Sequence, residues 1–228
     1  MENQVVRILV GVAGTLVAMA AMWLILSRRR EKMTQHQKVV FITTSGILAA
    51  AASILRYLET PIPLIPAFLK IDFSNIPAFI GGLALGPEAG IAILLIKNLL
   101  YLPASGTGGI GEIADFTISL TLVLPAVFIY LKNKSRKRVL AGMGIGVAVM
   151  SFLGGPLMNY FVLLPLYTSF MPWEAILGMA QAANPAITDV RTYLLFAVVP
   201  FNLFKSVAIC AITYLLYKPL SPILHKYR

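Results

Sequence analysis

Long apolar runs, separated by short basic, proline-rich or glycine-rich stretches, set the pattern of this chain. The runs are continuous rather than alternating, and several reach the ~20 residues that cross a hydrocarbon core of ~30 Å. A transmembrane barrel would show alternating segments of about ten residues instead. In order, the runs predict apolar helices at 5–26, 39–58, 76–86, 91–102, 113–131, 139–166 and 193–217, with an interfacial helix at 171–183. The run at 76–86 is short, and Gly81-Gly82 and Gly86-Pro87 interrupt or end it, so its span begins inside the preceding loop. Pro125 and Pro200 predict kinks, and Gly142, Gly144, Gly146, Gly154, Gly155 and Pro156 predict close packing and a bend within 139–166. Residues 1–30 read as an uncleaved anchor with a basic flank, because Arg28-Arg29-Arg30 follows the apolar core; a cleaved secretory signal, the alternative, carries its charge in front. Residues 38–228 form the main membrane domain.

The stretch from Thr60 to Asn75 breaks this pattern. Three prolines (Pro61, Pro63, Pro66) in six residues forbid a regular helix, since each removes a donor and restricts the residue before it. Yet the stretch carries Ile62, Leu64, Ile65, Phe68, Leu69, Ile71 and Phe73, which a solvated linker has no use for. It is either a lid over a small molecule or a connector that fills space in the bundle. A second loop, from Ala104 to Glu112, is glycine-rich, lacks the GK[ST] ending of a phosphate-binding loop and reads as a flexible turn or a gate.

Composition changes the picture in one respect. With 58% hydrophobic and 12% charged residues a soluble domain is excluded. The net charge of +10 would suit nucleic acid, but position argues for lipid. The cations gather in three flanks beside helix ends, at 28–38, 132–138 and 218–228, which the positive-inside rule places in the cytoplasm against anionic headgroups. The N-terminus then lies outside and the C-terminus inside. Cys210 lies alone in an apolar run, and His36 and His225 lie in basic flanks, so no disulfide framework or metal site is expected.

The polar residues inside the runs carry the candidate chemistry. Lys97, followed by Asn98, sits within an apolar helix, where a charge is expensive and marks a functional site unless it snorkels or is internally paired. In the last helix Asn202 and Lys205 are three residues apart and share one face below Pro200. Asn offers a donor and an acceptor and Lys offers donors, a set that suits a ring edge bearing carbonyls and an imide N–H; polar glue between helices is the alternative. Asn159 adds a second amide, and Phe68, Phe73, Tyr160, Tyr167, Phe201 and Phe204 offer apolar walls for a planar ring. The helix 39–58 carries two small-residue stripes, Gly46/Ala50 and Ser45/Ala49/Ser53, that admit a close neighbour from another subunit or from the same bundle. Arg56 and Glu59 near its end snorkel or pair. No HExxH, GxSxG or nucleotide-binding motif is present, so neither catalysis nor direct use of ATP is expected.

Several of these motifs occur together in a known order: Pro61-Ile62-Pro63, Pro66, Asp72-Phe73-Ser74, Gly86-Pro87, Ala89-Gly90, Lys97-Asn98-Leu99, Asn159-Tyr160, Pro165-Leu166-Tyr167 and Pro200-Phe201-Asn202 with Lys205. From about Lys38 to the C-terminus the chain resembles the riboflavin-specific substrate-binding (S) component of energy-coupling factor (ECF) vitamin transporters. The resemblance implies an all-α membrane protein, a six-helix S-component-like bundle to which the N-terminal transmembrane helix is an addition. It implies that riboflavin, or its phosphate FMN, binds near the outer face beneath the 60–75 loop. Asn159, Asn202 and Lys205 match the family's vitamin-binding positions; Phe68, Lys70, Asp72, Tyr160, Lys97 and Asn98 complete the candidate set. It further implies that Gly46 and Ala50, with Ala49 and Ser53 beside them, dock a transmembrane coupling protein that carries two ATPase subunits. Riboflavin is then cargo and no cofactor is expected. A flavin-binding redox protein and an ion-coupled transporter are the competing readings; the first lacks a second redox centre and the second lacks a deep acidic residue.

Overall fold

The computed structural model of the chain describes residues 33–61, 66 and 69–225; the helix expected at 5–26 and the candidate Phe68 lie outside that set. Among the described residues, five helices are long and apolar enough to cross a membrane, and a sixth is shorter. Helix α1 is Gln35–Tyr57, α2 is Asn75–Leu85, α3 is Pro87–Tyr101 and α4 is Ile110–Lys132. Helix α5 runs continuously over Arg136–Phe170, α6 is Trp173–Ala183, and α7 runs over 190–225. These are the six spans expected after the anchor, with the interfacial helix between the last two.

Local chemistry accounts for the ends. Thr34 accepts from the Gln37 amide while the Gln37 side chain accepts from the Thr34 amide, a reciprocal cap that starts α1 in the basic flank. Ser135 caps α5 by accepting from the Arg138 amide, and Asp189 caps α7 reciprocally with Thr192. Between α2 and α3, Gly86 has φ 115°, a left-handed value that suits glycine, and Pro87 follows at the first helical position.

Helix α2 has 11 residues, about 16 Å at 1.5 Å per residue, which is too short to face lipid along its length. It is shielded instead: every residue from Asn75 to Ala84 is buried, with α1, α3, α4 and α7 around it. Glycines permit that enclosure. A Cβ on Gly82 would lie 2.8 Å from Val127 Cγ2, and one on Gly90 would lie 3.3 Å from the Ala78 carbonyl. The α4–α5 contact is backbone to backbone, since a Cβ on Gly142 would lie 2.8 Å from the Ala126 carbonyl.

Helices α5 and α7 are irregular in a systematic way. Wide π turns occupy Met150–Gly154 and Asn159–Leu163 in α5 and Leu194–Val198 in α7. Each ends two residues before a proline: Pro156, Pro165 and Pro200. Proline lacks the N–H and crowds the carbonyl four residues back, and widening the preceding turn lets the helix continue. The expected bend and kink are therefore local widenings of continuous helices.

The two small-residue stripes on α1 point in different directions. Ser45, Ala49, Ala52 and Ser53 are buried in the bundle, whereas Gly46 and Ala50 are exposed. Ala49 and Ser53 thus depart from the expected docking face: they pack on the chain's own helices, and Ser53 Oγ donates to the Ala49 carbonyl. The 60–75 stretch, whose prolines forbid a regular helix, contains a small antiparallel ladder in which Thr60 pairs with Ile71 and Pro61 with Lys70. Pro61 is tolerated there because the ladder has only two strands and both are edges.

Candidate functional site

The site lies at the end of the bundle remote from the basic 132–138 link. Helix α4 separates the two: its first two turns, with Glu112 and Asp115, face the site, and its last residue, Lys132, opens the basic link. A cavity of about 430 Å³, within the range of small-molecule sites, is enclosed by α1, α3, α4, α5, α7 and the two loops.

Asn159, Asn202, Lys205 and Lys70 line this cavity, as the sequence leads one to expect. Both asparagines stand on stretches that proline has modified. Asn159 begins a π turn, donates from Nδ2 to the Gly155 carbonyl at 2.9 Å and accepts at Oδ1 from the Tyr193 hydroxyl at 3.3 Å. Asn202 follows Pro200 and donates to the Val198 carbonyl at 2.9 Å. Each amide nitrogen has two hydrogens, so one bond back along its own helix fixes the side chain and leaves a second N–H. Among the aromatic candidates Tyr167 and Phe201 form walls, joined by Tyr101.

The remaining candidates occupy other places. Phe204 is 56% exposed on the outer surface of α7, and Phe73 packs against the main core rather than the cavity. Tyr160 is outside the lining and stacks edge-on against Phe161 at 5.0 Å. Asn98 is buried away from the cavity and donates to the Leu94 carbonyl. Asp72 and Lys97 stand directly behind the wall and hold it together.

That support is a chain of charges. Lys205 Nζ donates to Asp72 Oδ2 at 2.7 Å, and Arg56 reaches the same oxygen at 3.1 Å. Arg56 also pairs with Glu59 at 3.0 Å, and Lys70 pairs with Glu59 at 2.8 Å. Lys97 is fully buried and donates to Ser74 Oγ at 2.7 Å and Asn75 Oδ1 at 2.6 Å, with Asp115 Oδ2 3.0 Å away. The Ser74 amide and hydroxyl both donate to Asp72 Oδ1, which fastens the base of the 60–75 loop. Burial works to raise the Asp72 carboxyl, but Lys205, Lys97 and Arg56 outweigh it and hold the group well below the usual carboxylate range. Lys97 is thus the internally paired lysine, one of the two readings open from sequence.

The glycine-rich loop is tied rather than free. Ser105 Oγ donates to Glu112 Oε2 at 2.7 Å and accepts from the Thr107 and Gly109 amides, while the Gly111 amide donates to Thr107 Oγ1. The loop lines the cavity through Gly106 and Thr107.

Arg56, Glu59, Tyr101, Glu112 and Asp115 were not singled out as site residues from sequence. Stoichiometry is the signal that finds Glu59 and Asp115. Three cations placed in a low-dielectric bundle need carboxylates within reach, and besides Asp72 the end of α1 offers Glu59 and the start of α4 offers Asp115. No cluster of His, Cys, Asp and Glu suited to a metal ion occurs among the described residues.

Comparison with known proteins agrees on one family. A family model for the substrate-specific component of ECF transporters matches residues 40–217. The chain is 33% identical over 199 residues to the riboflavin transporter RibU of Staphylococcus aureus (strain TCH60), covering 87% of this chain and 98% of that protein. It is likewise 33% identical over 196 residues to the riboflavin transporter FmnP of Bacillus subtilis (strain 168), covering 84% of this chain and 97% of that protein. A solved structure of the S component of a bacterial ECF transporter superposes with a TM-score of 0.66 at 32% identity, covering 81% of this chain and 96% of that one.

Proposed function

We infer the role of this chain from a plain premise: it belongs to the family of ECF transporter substrate-specific components, and is a multi-pass, all-α membrane protein. We propose that it is the riboflavin-binding subunit of an uptake system, a transport component rather than an enzyme, in the plasma membrane of a prokaryote. It captures the vitamin from outside and delivers it inward together with an ATP-driven module composed of a transmembrane coupling protein and two ATPases. Riboflavin is cargo, and ATP is consumed only by the partners.

The observation that carries this reading is the convergence of Asn159 from α5 with Asn202 and Lys205 from α7 on one cavity with aromatic walls. Arg56, Lys70 and Lys205 are each matched by a carboxylate, which suits an uncharged polar ring system such as riboflavin; FMN is the ligand to compare with it. The cavity lies opposite the basic 132–138 link, so the positive-inside rule supports a site open to the outside, an external N-terminus and a cytoplasmic C-terminus. The exposed Gly46 and Ala50 of α1 are the candidates for close approach of the coupling protein.

Titration of the purified, detergent-solubilised protein with riboflavin tests the assignment. Flavin fluorescence should be quenched with a stoichiometry near one. Lys205→Ala should weaken binding by about 10- to 100-fold, the size expected for losing a hydrogen bond from a charged donor. A protein that leaves riboflavin fluorescence unchanged would end the vitamin assignment.

A further inference from the structure

Asp115 is a cavity-lining carboxylate with a buried oxygen that takes no hydrogen bond. It lies on the first turns of α4, and its side chain is 14% exposed. Its cationic neighbours are Lys97 Nζ, 3.0 Å from Oδ2, and Lys205 Nζ, 3.8 Å from Oδ1. Neither contact is an aligned hydrogen bond: Oδ2 is buried without a hydrogen-bond partner, and 3.8 Å is beyond hydrogen-bond range. Asp72 differs sharply, since its oxygens take hydrogen bonds from Lys205, Arg56 and both polar groups of Ser74. A carboxylate held in place by charge, with acceptor capacity left over, is costly in a low-dielectric wall unless something donates to it.

Resting on the reading of this chain as a riboflavin-binding component, we propose that Asp115 is a further ligand-binding residue. It accepts the imide N–H of the flavin ring while Lys205 donates to the carbonyl beside that N–H. The two side chains present an acceptor and a donor side by side at the cavity wall. That order complements a C(=O)–N–H edge, and the ribityl chain of hydroxyls has no such fixed alternation. Asn202, three residues from Lys205 on the same face of α7, then meets the next polar atom of the ring. Asp72 cannot take this role, because it lies behind Lys205 with both oxygens occupied. Lys97 holds Asp115 in place from the far side.

The test compares three flavins on the purified full chain: riboflavin, 3-methylriboflavin, in which the imide N–H is blocked, and lumiflavin, which lacks the ribityl chain. Wild type should bind 3-methylriboflavin at least about tenfold more weakly than riboflavin, the loss expected when a charge-assisted hydrogen bond is removed. In Asp115→Ala, riboflavin and lumiflavin should weaken by the same factor, and the penalty for methylation should largely disappear. Asp115→Asn, which keeps an acceptor oxygen and the shape of the side chain, should recover part of the affinity; it also serves if the alanine variant does not fold. The proposal is overturned if wild type tolerates 3-methylation, or if the methylation penalty persists in full without the carboxylate. It is equally overturned if Asp115→Ala weakens riboflavin but not lumiflavin, which would assign Asp115 to the ribityl chain. A wild-type protein that binds none of the three flavins removes the riboflavin reading itself, a result distinct from all of these.

Discussion

The α2–α3 hairpin and the helices α5 and α7 solve the same problem differently. The α2–α3 hairpin is regular, glycine-lined and enclosed; its residues from Asn75 to Ala84 are all buried, and its turn rests on the left-handed Gly86. Helices α5 and α7 carry three proline-led π turns, and the amides of Asn159 and Asn202 project from or beside them. Dense packing leaves no room for a ligand, whereas a widened turn moves side chains off the regular helical positions and frees backbone and amide groups near a cavity. The regular half is a scaffold, and its one buried charge, Lys97, reaches across to brace the irregular half through Asp115.

The largest effect should come from overfilling the contact between α4 and α5. A side chain on Gly146 would run into the Leu122 carbonyl, and one on Gly142 would lie 2.9 Å from Ala126 Cα, so backbone rather than a movable side chain is in the way. Gly146→Leu should abolish recovery of monodisperse protein on size exclusion, since overpacking costs about 1–3 kcal/mol even where side chains can yield. Gly144→Leu, with no atom within 4 Å of the added Cβ, should leave recovery and melting temperature unchanged.

Breaking the brace comes next. Lys97→Met leaves Asp115 facing only the more distant Lys205 and strips a donor from Ser74 and Asn75. Removing one partner of a buried ion pair costs about 3–5 kcal/mol, so thermal unfolding should show a drop of several degrees or more. An unchanged midpoint would mean that the charge chain does not link the halves.

A smaller effect sharpens the comparison on α1, where both kinds of surface share one helix. Ala49→Leu should destabilise by about 1–3 kcal/mol, because Ala49 is 1% exposed against the bundle. Ala50→Leu, on the exposed face, should change stability by less than about 0.5 kcal/mol and leave riboflavin binding intact. If that face meets the coupling protein, the same substitution should lower uptake in cells that carry the whole system.

The smallest expected effect is a pH dependence that stays absent over a wide range. Asp72 has a lowered folded-state pKa, so its contribution to stability is complete above the unfolded carboxylate value of about 3.9 and is lost only as pH falls through the lower folded value. Melting temperatures of wild type and Asp72→Asn should therefore differ by a constant amount between about pH 8 and about pH 5. A difference that shrinks within that window would contradict the charge-paired loop base.

The membrane character, the six described spans and their order were legible in the sequence because each depends on local composition: an apolar run must be long enough, and Gly86-Pro87 or Pro200 disturbs a helix wherever it falls. Asn159, Asn202 and Lys205 were legible for a related reason, since polar groups inside apolar runs are conspicuous. Tertiary structure alone decided which polar residues share a wall. Asp115 looks like an ordinary helix-end carboxylate along the chain, and Asp72 looks like a loop residue, until folding brings them to Lys97, Lys205 and Arg56. It also separated the two stripes of α1, sending Ser45, Ala49 and Ser53 inward and Gly46 and Ala50 outward. Periodicity determines which residues share a face, but which face is covered depends on neighbouring helices distant in the chain, and those contacts are set by the packing of the whole bundle.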